Sequence, residues 1–263
     1  MKIGVFDSGL GGLTVVRAMT QVIKGAQIFY VADTKNAPYG EKTPEQILQY
    51  SLNITNYLIN THQIDALILA CNTATSSAIT HLREMYPSLI IIGTEPGIKP
   101  AIEQTKTGKI GVLATPATLQ GDKYKTLTQT LASQKSVAIF EQACPGLVEQ
   151  IEKGELESEV TKGLLETWLA PMRENNVDTI VLGCTHYPLV GQSIEKIMDC
   201  NVSLIHTGEA ISKHLLTLGT QKGHLNEGEL QVHIHTTGEI QIEVVESIIE
   251  SYVHIQPIEV ENH

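Results

Sequence analysis

Two cysteines stand at matching places in this chain. Cys71 follows the apolar run of residues 66–70, and Cys184 follows a second run at 179–183, an offset of 184 − 71 = 113. The segment Asp65-Ala-Leu-Ile-Leu-Ala-Cys-Asn-Thr73 resembles Asp178-Thr-Ile-Val-Leu-Gly-Cys-Thr-His186 over its whole length. A thiol is a small, soft acid/base with an ordinary pKa of about 8.5, and a helix N-terminus lowers it. A single base can take a proton from one face of a planar carbanion but cannot return it on the other. Two opposed groups, one thiolate and one thiol, can invert a stereocentre and exchange roles in the reverse direction. A lone cysteine is ordinarily a small buried hydrophobe. That reading fits Cys144 and Cys200, whereas the matched position in two repeats sets Cys71 and Cys184 apart. A disulfide redox pair is the other functional reading of the two thiols, although the chain holds no Cys-x-x-Cys.

Other polar groups cluster at the same kind of place. Asp7 closes the first apolar run and is followed by Ser8 and Gly9-Leu-Gly-Gly12. The glycines permit close backbone approach, and the helix after them offers an anion site. Asp7 there could bind an ammonium group or take part in proton transfer. As a dinucleotide fingerprint the run is incomplete, since Thr14 stands where a third glycine would fall. His186, two residues after Cys184, could hold that thiol as thiolate or assist it as an acid. Asn72-Thr73 and Thr185-His186 follow the cysteines where helix starts are expected. No Cys/His cluster has the spacing of a zinc site, so no metal is expected, and His233 and His235 lack a third ligand. No phosphate-binding Gly-x-x-x-x-Gly-Lys-Ser/Thr loop is present.

The elements that must position these groups read as an α/β protein. Residues 3–6, 28–32, 66–70 and 89–92 are continuous, β-branched-rich and short, as strands buried on both faces are. Helical segments lie between them. One starts with Thr43 as cap, Pro44 at the first position and Gln46 completing a capping box. Strand–helix alternation at this spacing predicts a parallel sheet covered by helices. The run from Ile3 also matches the run from Ile110, an offset of 107, so two α/β halves of one design are expected. The fold expected is therefore α/β, with two pseudo-symmetric lobes, each a mostly parallel sheet flanked by helices, and the active site in the cleft between them. Residues 1–97 plus about 210–263 form the first lobe and its completing segment, and residues 98–209 the second. In the tail, 211–218 is helical in period, 230–234 alternates, 240–251 is helical again, and 219–228 reads as a mobile loop.

Composition narrows the partners. The net charge is −11 and the pI about 5.3, so phosphate backbones and anionic lipid are repelled, and neither nucleic acid nor membrane is expected. The longest apolar runs fall well short of a membrane span of about 20 residues. The chain opens on a strand without a leader pattern, and its four cysteines show no disulfide-scaffold density, so a cytoplasmic protein with free thiols is expected.

Five separated motifs carry a resemblance. Val5-Phe-Asp-Ser-Gly-Leu-Gly-Gly-Leu13, Ala32-Asp-Thr-Lys-Asn-Ala-Pro-Tyr-Gly40, Ala70-Cys-Asn-Thr-Ala-Thr75, Glu95-Pro-Gly97 and Gly183-Cys-Thr-His-Tyr-Pro-Leu189 stand in one order, with a weaker match at Thr236-Thr-Gly238. In them the chain resembles the glutamate racemases of the cofactor-independent aspartate/glutamate racemase superfamily. The resemblance implies interconversion of L- and D-glutamate without pyridoxal phosphate or another cofactor, supplying D-glutamate for peptidoglycan synthesis. It makes Cys71 and Cys184 the acid/base thiols, with Asp7 assisting the first and a Glu–His pair assisting the second. His186 matches the histidine, and Glu152 matches the glutamate, with Glu149 as the rival if the helix register differs. Asp7, Ser8, Tyr39, Gly40, Asn72, Thr73, Thr115, Thr185 and His186 match substrate-contacting positions. A homo-oligomer, in the form of a dimer, is implied as well. Asn36 departs from the basic or small residue common in the family, and His206-Thr207 from an Asp-Ser pair. Relatives controlled by a cell-wall precursor often carry an N-terminal extension, so that control is not expected here. A racemase for aspartate or another amino acid is the near alternative. A two-lobed binding protein with incidental thiols is the distant one.

Overall fold

The computed structural model describes residues 1–135, 137–199, 201–224, 227–249 and 254–260. In chain order, strand β1 (Lys2–Asp7), helix α1 (Leu13–Val22), β2 (Gln27–Ala32), α2 (Pro44–Tyr57), β3 (Ala66–Leu69), α3 (Asn72–Met85) and β4 (Ile90–Gly93) come first. Next come α4 (Ile98–Gln104), β5 (Lys109–Ala114), α5 (Pro116–Gln120), α6 (Asp122–Lys135), β6 (Ala138–Ala143), α7 (Leu147–Glu152), α8 (Glu159–Glu174), β7 (Thr179–Gly183), α9 (Gly191–Ile197) and β8 (Ser203–Ile205). The tail supplies α10 (Gly208–Gln221), β9 (Gln231–Thr236), α11 (Ile242–Ile248) and β10 (His254–Pro257). Two compact units result, one of residues 1–94 with 207–263 and one of residues 95–206.

In the first unit the strands run β10-β9-β2-β1-β3-β4, and every pairing is parallel. A parallel sheet needs a crossover between neighbours and is covered on both faces, which is why its strands lack polar alternation. β1 and β2 are buried from their second residue on, and β3 throughout. Helix α2 packs on α3, and α1 on α10. One core collects Phe6, Val31, Leu67 and Leu69 from the sheet with Ile47 and Ile54 of α2 and Ala78 and Leu82 of α3. The start of α2 is the capping box read from the sequence: Gln46 N–H donates to Thr43 Oγ1 at 3.3 Å, and Thr43 N–H donates to Gln46 Oε1 at 3.0 Å.

The second unit has the order β6-β5-β7-β8, again wholly parallel. Its order is that of β2-β1-β3-β4, strand for strand, so the internal repeat appears as two sheets of the same winding. Its apolar residues gather in two clusters. One joins Leu113, Ile180 and Leu182 to Leu165 and Leu169 of α8, and the other joins Ile110, Val112 and Val181 to Ile98 and Ile102 of α4.

An aspartate marks the entry of β3 and of β7. Asp65 Oδ2 accepts the Lys2 N–H at 2.7 Å, fastening the start of β1. Asp178 accepts the N–H groups of Lys106 and Thr107 at 2.7 and 2.8 Å and the hydroxyl of Thr105 at 2.6 Å, fastening the approach to β5. In the tail, α10 continues to Gln221, three residues into the segment read as a loop. Residues 225, 226, 250 and 251 and Cys200, for which expectations were stated, lie outside the described residues.

Candidate active site

In the first unit the candidate residues emerge from the carboxyl ends of three adjacent strands. Asp7 pairs with Ala32, and Phe6 with Leu69, so the ends of β2, β1 and β3 stand side by side. Asp7 is fully buried, and its carboxylate is held by the turn that follows it. Oδ1 accepts the Ser8 N–H at 2.7 Å, and Oδ2 accepts the Gly12 N–H at 2.5 Å. The glycine turn thus does form an anion cradle, and the chain's own aspartate sits in it. Gly12 is required there, because a Cβ would lie 2.7 Å from the Asp7 Cβ and 2.8 Å from the Tyr30 hydroxyl. Tyr30 is itself buried and donates to Gly9 O at 2.5 Å, pinning the turn from below.

Cys71 is the N-cap of α3, and its Sγ accepts the Ala74 N–H at 3.4 Å. The sulfur therefore lies at the positive end of the helix dipole, where a thiolate is favoured. The same sulfur is 3.9 Å from Ser8 Oγ, and that hydroxyl is 3.4 Å from Asp7 Oδ1. Ser8 consequently stands between the thiol and the carboxylate. Asn72 and Thr73 are buried in the first turn of α3.

The third strand end leads into residues 33–41. Tyr39 opens a 3₁₀ turn, Tyr39–Glu41, that includes Gly40. Its hydroxyl donates to Asp33 Oδ2 at 2.6 Å. Burial first, then the Asp33 charge and hydrogen bond, hold the phenol well above its ordinary pKa, so it stays a neutral donor. The resemblance lists Tyr39 among substrate contacts, but its hydroxyl is committed to Asp33.

In the second unit the equivalent strand ends carry different groups. Ala114, the counterpart of Asp7, pairs with Gly183 and Ala143, so Thr115, Cys184 and Cys144 follow three adjacent strand ends. Thr115 caps α5: its Oγ1 accepts the Thr118 N–H at 3.3 Å and lies 2.9 Å from the Thr118 hydroxyl oxygen. No helix begins directly after Cys184, contrary to the expectation that Thr185-His186 would open one. A 3₁₀ turn, Tyr187–Val190, comes first, and α9 starts only at Gly191. The tighter turn swings His186 back toward the cysteine, with Nδ1 3.6 Å from the Cys184 sulfur. His186 Nε2 is 2.5 Å from Glu152 Oε1, at the last residue of α7. Burial works against a charged imidazole there, but the bonds to Cys184 and Glu152 outweigh it and raise the His186 pKa well above its ordinary value. A doubly protonated ring can donate through Nδ1 toward sulfur and through Nε2 to the carboxylate at once. Thr185 is buried between Cys184 and His186 in the chain.

Each unit therefore presents a thiol, an intermediary and a carboxylate. In the first the series is Cys71, Ser8, Asp7, and in the second Cys184, His186, Glu152. Cys144 is built otherwise. It is buried in the apolar cluster, its Sγ lies 3.5 Å from Gln142 O, and burial pushes its pKa up to about 12. Among the described residues, Cys71, Cys144 and Cys184 form no disulfide. Among the described residues no group of three or more His, Cys, Asp or Glu could hold a metal ion. Nor does any helix among them have the length and apolarity to cross a membrane. Asp33 was not singled out in the sequence beyond its place in a motif. Its signal was a position at the end of β2 like that of Asp7 at the end of β1.

The sequence model of the family described as Asp/Glu/Hydantoin racemase matches residues 3–215. A glutamate racemase of Sulfurovum sp. is 66% identical over 252 residues, covering 96% of this chain and 95% of that protein. A crystal structure of a glutamate racemase isoform from Bacillus anthracis superposes with a TM-score of 0.84 at 30% identity, covering 98% of this chain and 97% of the other. The crystal structure of glutamate racemase from Francisella tularensis in complex with D-glutamate gives a TM-score of 0.84 at 27% identity, covering 100% and 98%.

Proposed function

Since the chain belongs to the Asp/Glu/Hydantoin racemase family, we propose that it is an isomerase that interconverts L- and D-glutamate, with Cys71 and Cys184 as the proton-transfer groups. The observation that carries this reading is the pair of thiols at corresponding strand ends of two sheets of the same winding. The relatives named above, one of them 66% identical across nearly the whole chain, support glutamate as the substrate.

The chemistry assigned to the residues is a two-base transfer. The thiolate of one cysteine removes the α-proton and becomes a thiol. The electron pair left on carbon is taken up by the α-carboxylate as a planar carbanion. The thiol of the other cysteine gives its proton to the opposite face and becomes a thiolate, and the reverse direction exchanges the two roles. Asp7 acts on Cys71 by way of Ser8, and Glu152 acts on Cys184 by way of His186. Ser8, Asn72, Thr73, Thr115, Thr185, His186 and the Tyr39–Gly40 main chain supply the contacts that hold the substrate. The scheme consumes no co-reactant and needs no cofactor. A cytoplasmic homodimer supplying D-glutamate for peptidoglycan goes with this reading, supported by the motif resemblance.

The test is proton NMR of L-glutamate in D2O with reduced enzyme and no added cofactor, paired with chiral analysis. Loss of the α-proton signal together with appearance of D-glutamate is the expected result. Unchanged L-glutamate with folded, reduced protein would overturn the reading. Cys71→Ala and Cys184→Ala should each lower racemisation by about 10³-fold or more, in keeping with acid/base groups.

A further inference from the structure

Asp33 is a buried carboxylate outside the acid/base series that three side chains bond at once. It follows β2 directly, it is 1% exposed, and its N–H donates to Asp7 O at 2.9 Å. Oδ2 accepts the Tyr39 hydroxyl at 2.6 Å, Oδ1 accepts the Thr237 hydroxyl at 2.7 Å, and the Asn36 amide lies 3.1 Å from both oxygens. A buried anion of this kind persists only where its lone pairs are filled, and bonds to an ionised acceptor are about twice as strong as neutral ones. The donors come from separate places: Asn36 and Tyr39 from the segment after β2, and Thr237 from the tail beyond β9.

The strap between those places is continuous. Thr237 N–H donates to Ala32 O at 3.1 Å, Lys35 N–H donates to Thr237 Oγ1 at 3.2 Å, and the hydroxyls of Thr34 and Thr236 lie 3.0 Å apart. At Gly238 a Cβ would come within 3.0 Å of the Lys35 nitrogen and the Thr34 hydroxyl, so the two backbones touch. We propose that Asp33 is a positioning residue for the racemisation: its carboxylate sets the conformation of the Tyr39–Gly40 turn that meets the substrate, and Thr237 makes the C-terminal segment part of that support. The inference rests on the glutamate racemase reading. The Tyr39 hydroxyl serves the turn rather than the substrate, and the turn's offering to the ligand is its main chain. Neither thiol touches Asp33, so its loss acts on binding and leaves the proton transfers standing.

The experiment is steady-state kinetics in both directions on full-length Asp33→Asn, Thr237→Val and the double variant, with melting temperatures. Asp33→Asn should raise KM for both enantiomers about tenfold or more while kcat stays within about threefold, the pattern of lost uniform binding. Thr237→Val should raise KM by a smaller factor, and the double variant should match Asp33→Asn alone, because both changes break one network. The ¹³Cζ resonance of Tyr39, assigned through Tyr39→Phe, should shift in Asp33→Asn. If Asp33→Asn does not fold, Thr237→Val alone decides by its KM. Unchanged KM in the folded variants, or a fall in kcat at constant KM, overturns the inference while wild-type turnover stands. Absence of wild-type turnover overturns the glutamate reading, and an unmoved Tyr39 resonance then overturns the positioning role separately.

Discussion

The two thiols sit in unlike surroundings although their strands correspond. Cys71 caps a helix and reaches a carboxylate through a hydroxyl, while Cys184 precedes a 3₁₀ turn and reaches one through an imidazole. The repeat explains why the partners differ. Position for position, Asp7 corresponds to Ala114 and Thr73 to His186, so the second unit has no carboxylate at its strand end and takes one from the end of α7 instead. Glu152→Gln should therefore act through the histidine. It removes the charge that helps hold His186 protonated, so the His186 pKa falls toward its ordinary 6.5. A raised histidine pKa adds stability that is complete below the unfolded value and is lost as pH rises through the folded one. In Glu152→Gln that contribution should shrink and its loss should be complete at lower pH, and kcat should drop on the order of 10²-fold. A pH titration of the His186 ring by NMR beside the rate profile checks both. Cys71, Cys184, Asp7 and His186 were legible because each lies within a short motif at the end of an apolar run. Asp33 was not, because its meaning depends on Thr237, brought beside it by strand pairing across most of the chain.

Local signals decided several elements. The box of Thr43 and Gln46 formed where the sequence placed it, because both groups and the Pro44 constraint act within one turn. Thr43→Ala removes one cap and should destabilise by about 1 kcal/mol, lowering Tm by about 2–4 °C, with racemisation kinetics unchanged. Thermal unfolding followed by circular dichroism reads the first, and the NMR assay the second. The parallel strands were legible from their unbroken apolar runs, since burial on both faces leaves no room for alternation. β10 was not: His254-Ile-Gln-Pro257 is short and mixed, and it becomes a strand only because β9 offers an edge to pair with. The start of α9 was misread because a helix directly after Cys184 follows from the repeat alone. The Tyr187-Pro188 pair instead opens a 3₁₀ turn that brings His186 to the sulfur.

At the scale of the molecule, one unit is a single stretch of chain and the other is made of two. Residues 95–206 carry their own sheet and both of their apolar clusters. Expressed alone, that stretch should fold and unfold cooperatively in urea. Residues 1–94 alone should not, since they lack β9 on the edge of β2 and α10 against α1. Far-UV circular dichroism of the two fragments tests this, and a cooperative transition in residues 1–94 would refute it. The same nesting has a consequence for a chain emerging from the ribosome. The edge of β2 leaves the exit tunnel early, but its partner β9 follows only after the whole intervening unit has been translated. At about 5–20 residues per second that interval is roughly 10–40 s. Throughout it the first sheet exposes an unpaired edge, a ready template for pairing with another nascent chain. Thr237 is the last member of the Asp33 network to be made, so the network closes only after it has emerged, and a product terminated before it would carry both cysteines without the segment that steadies the Tyr39 turn.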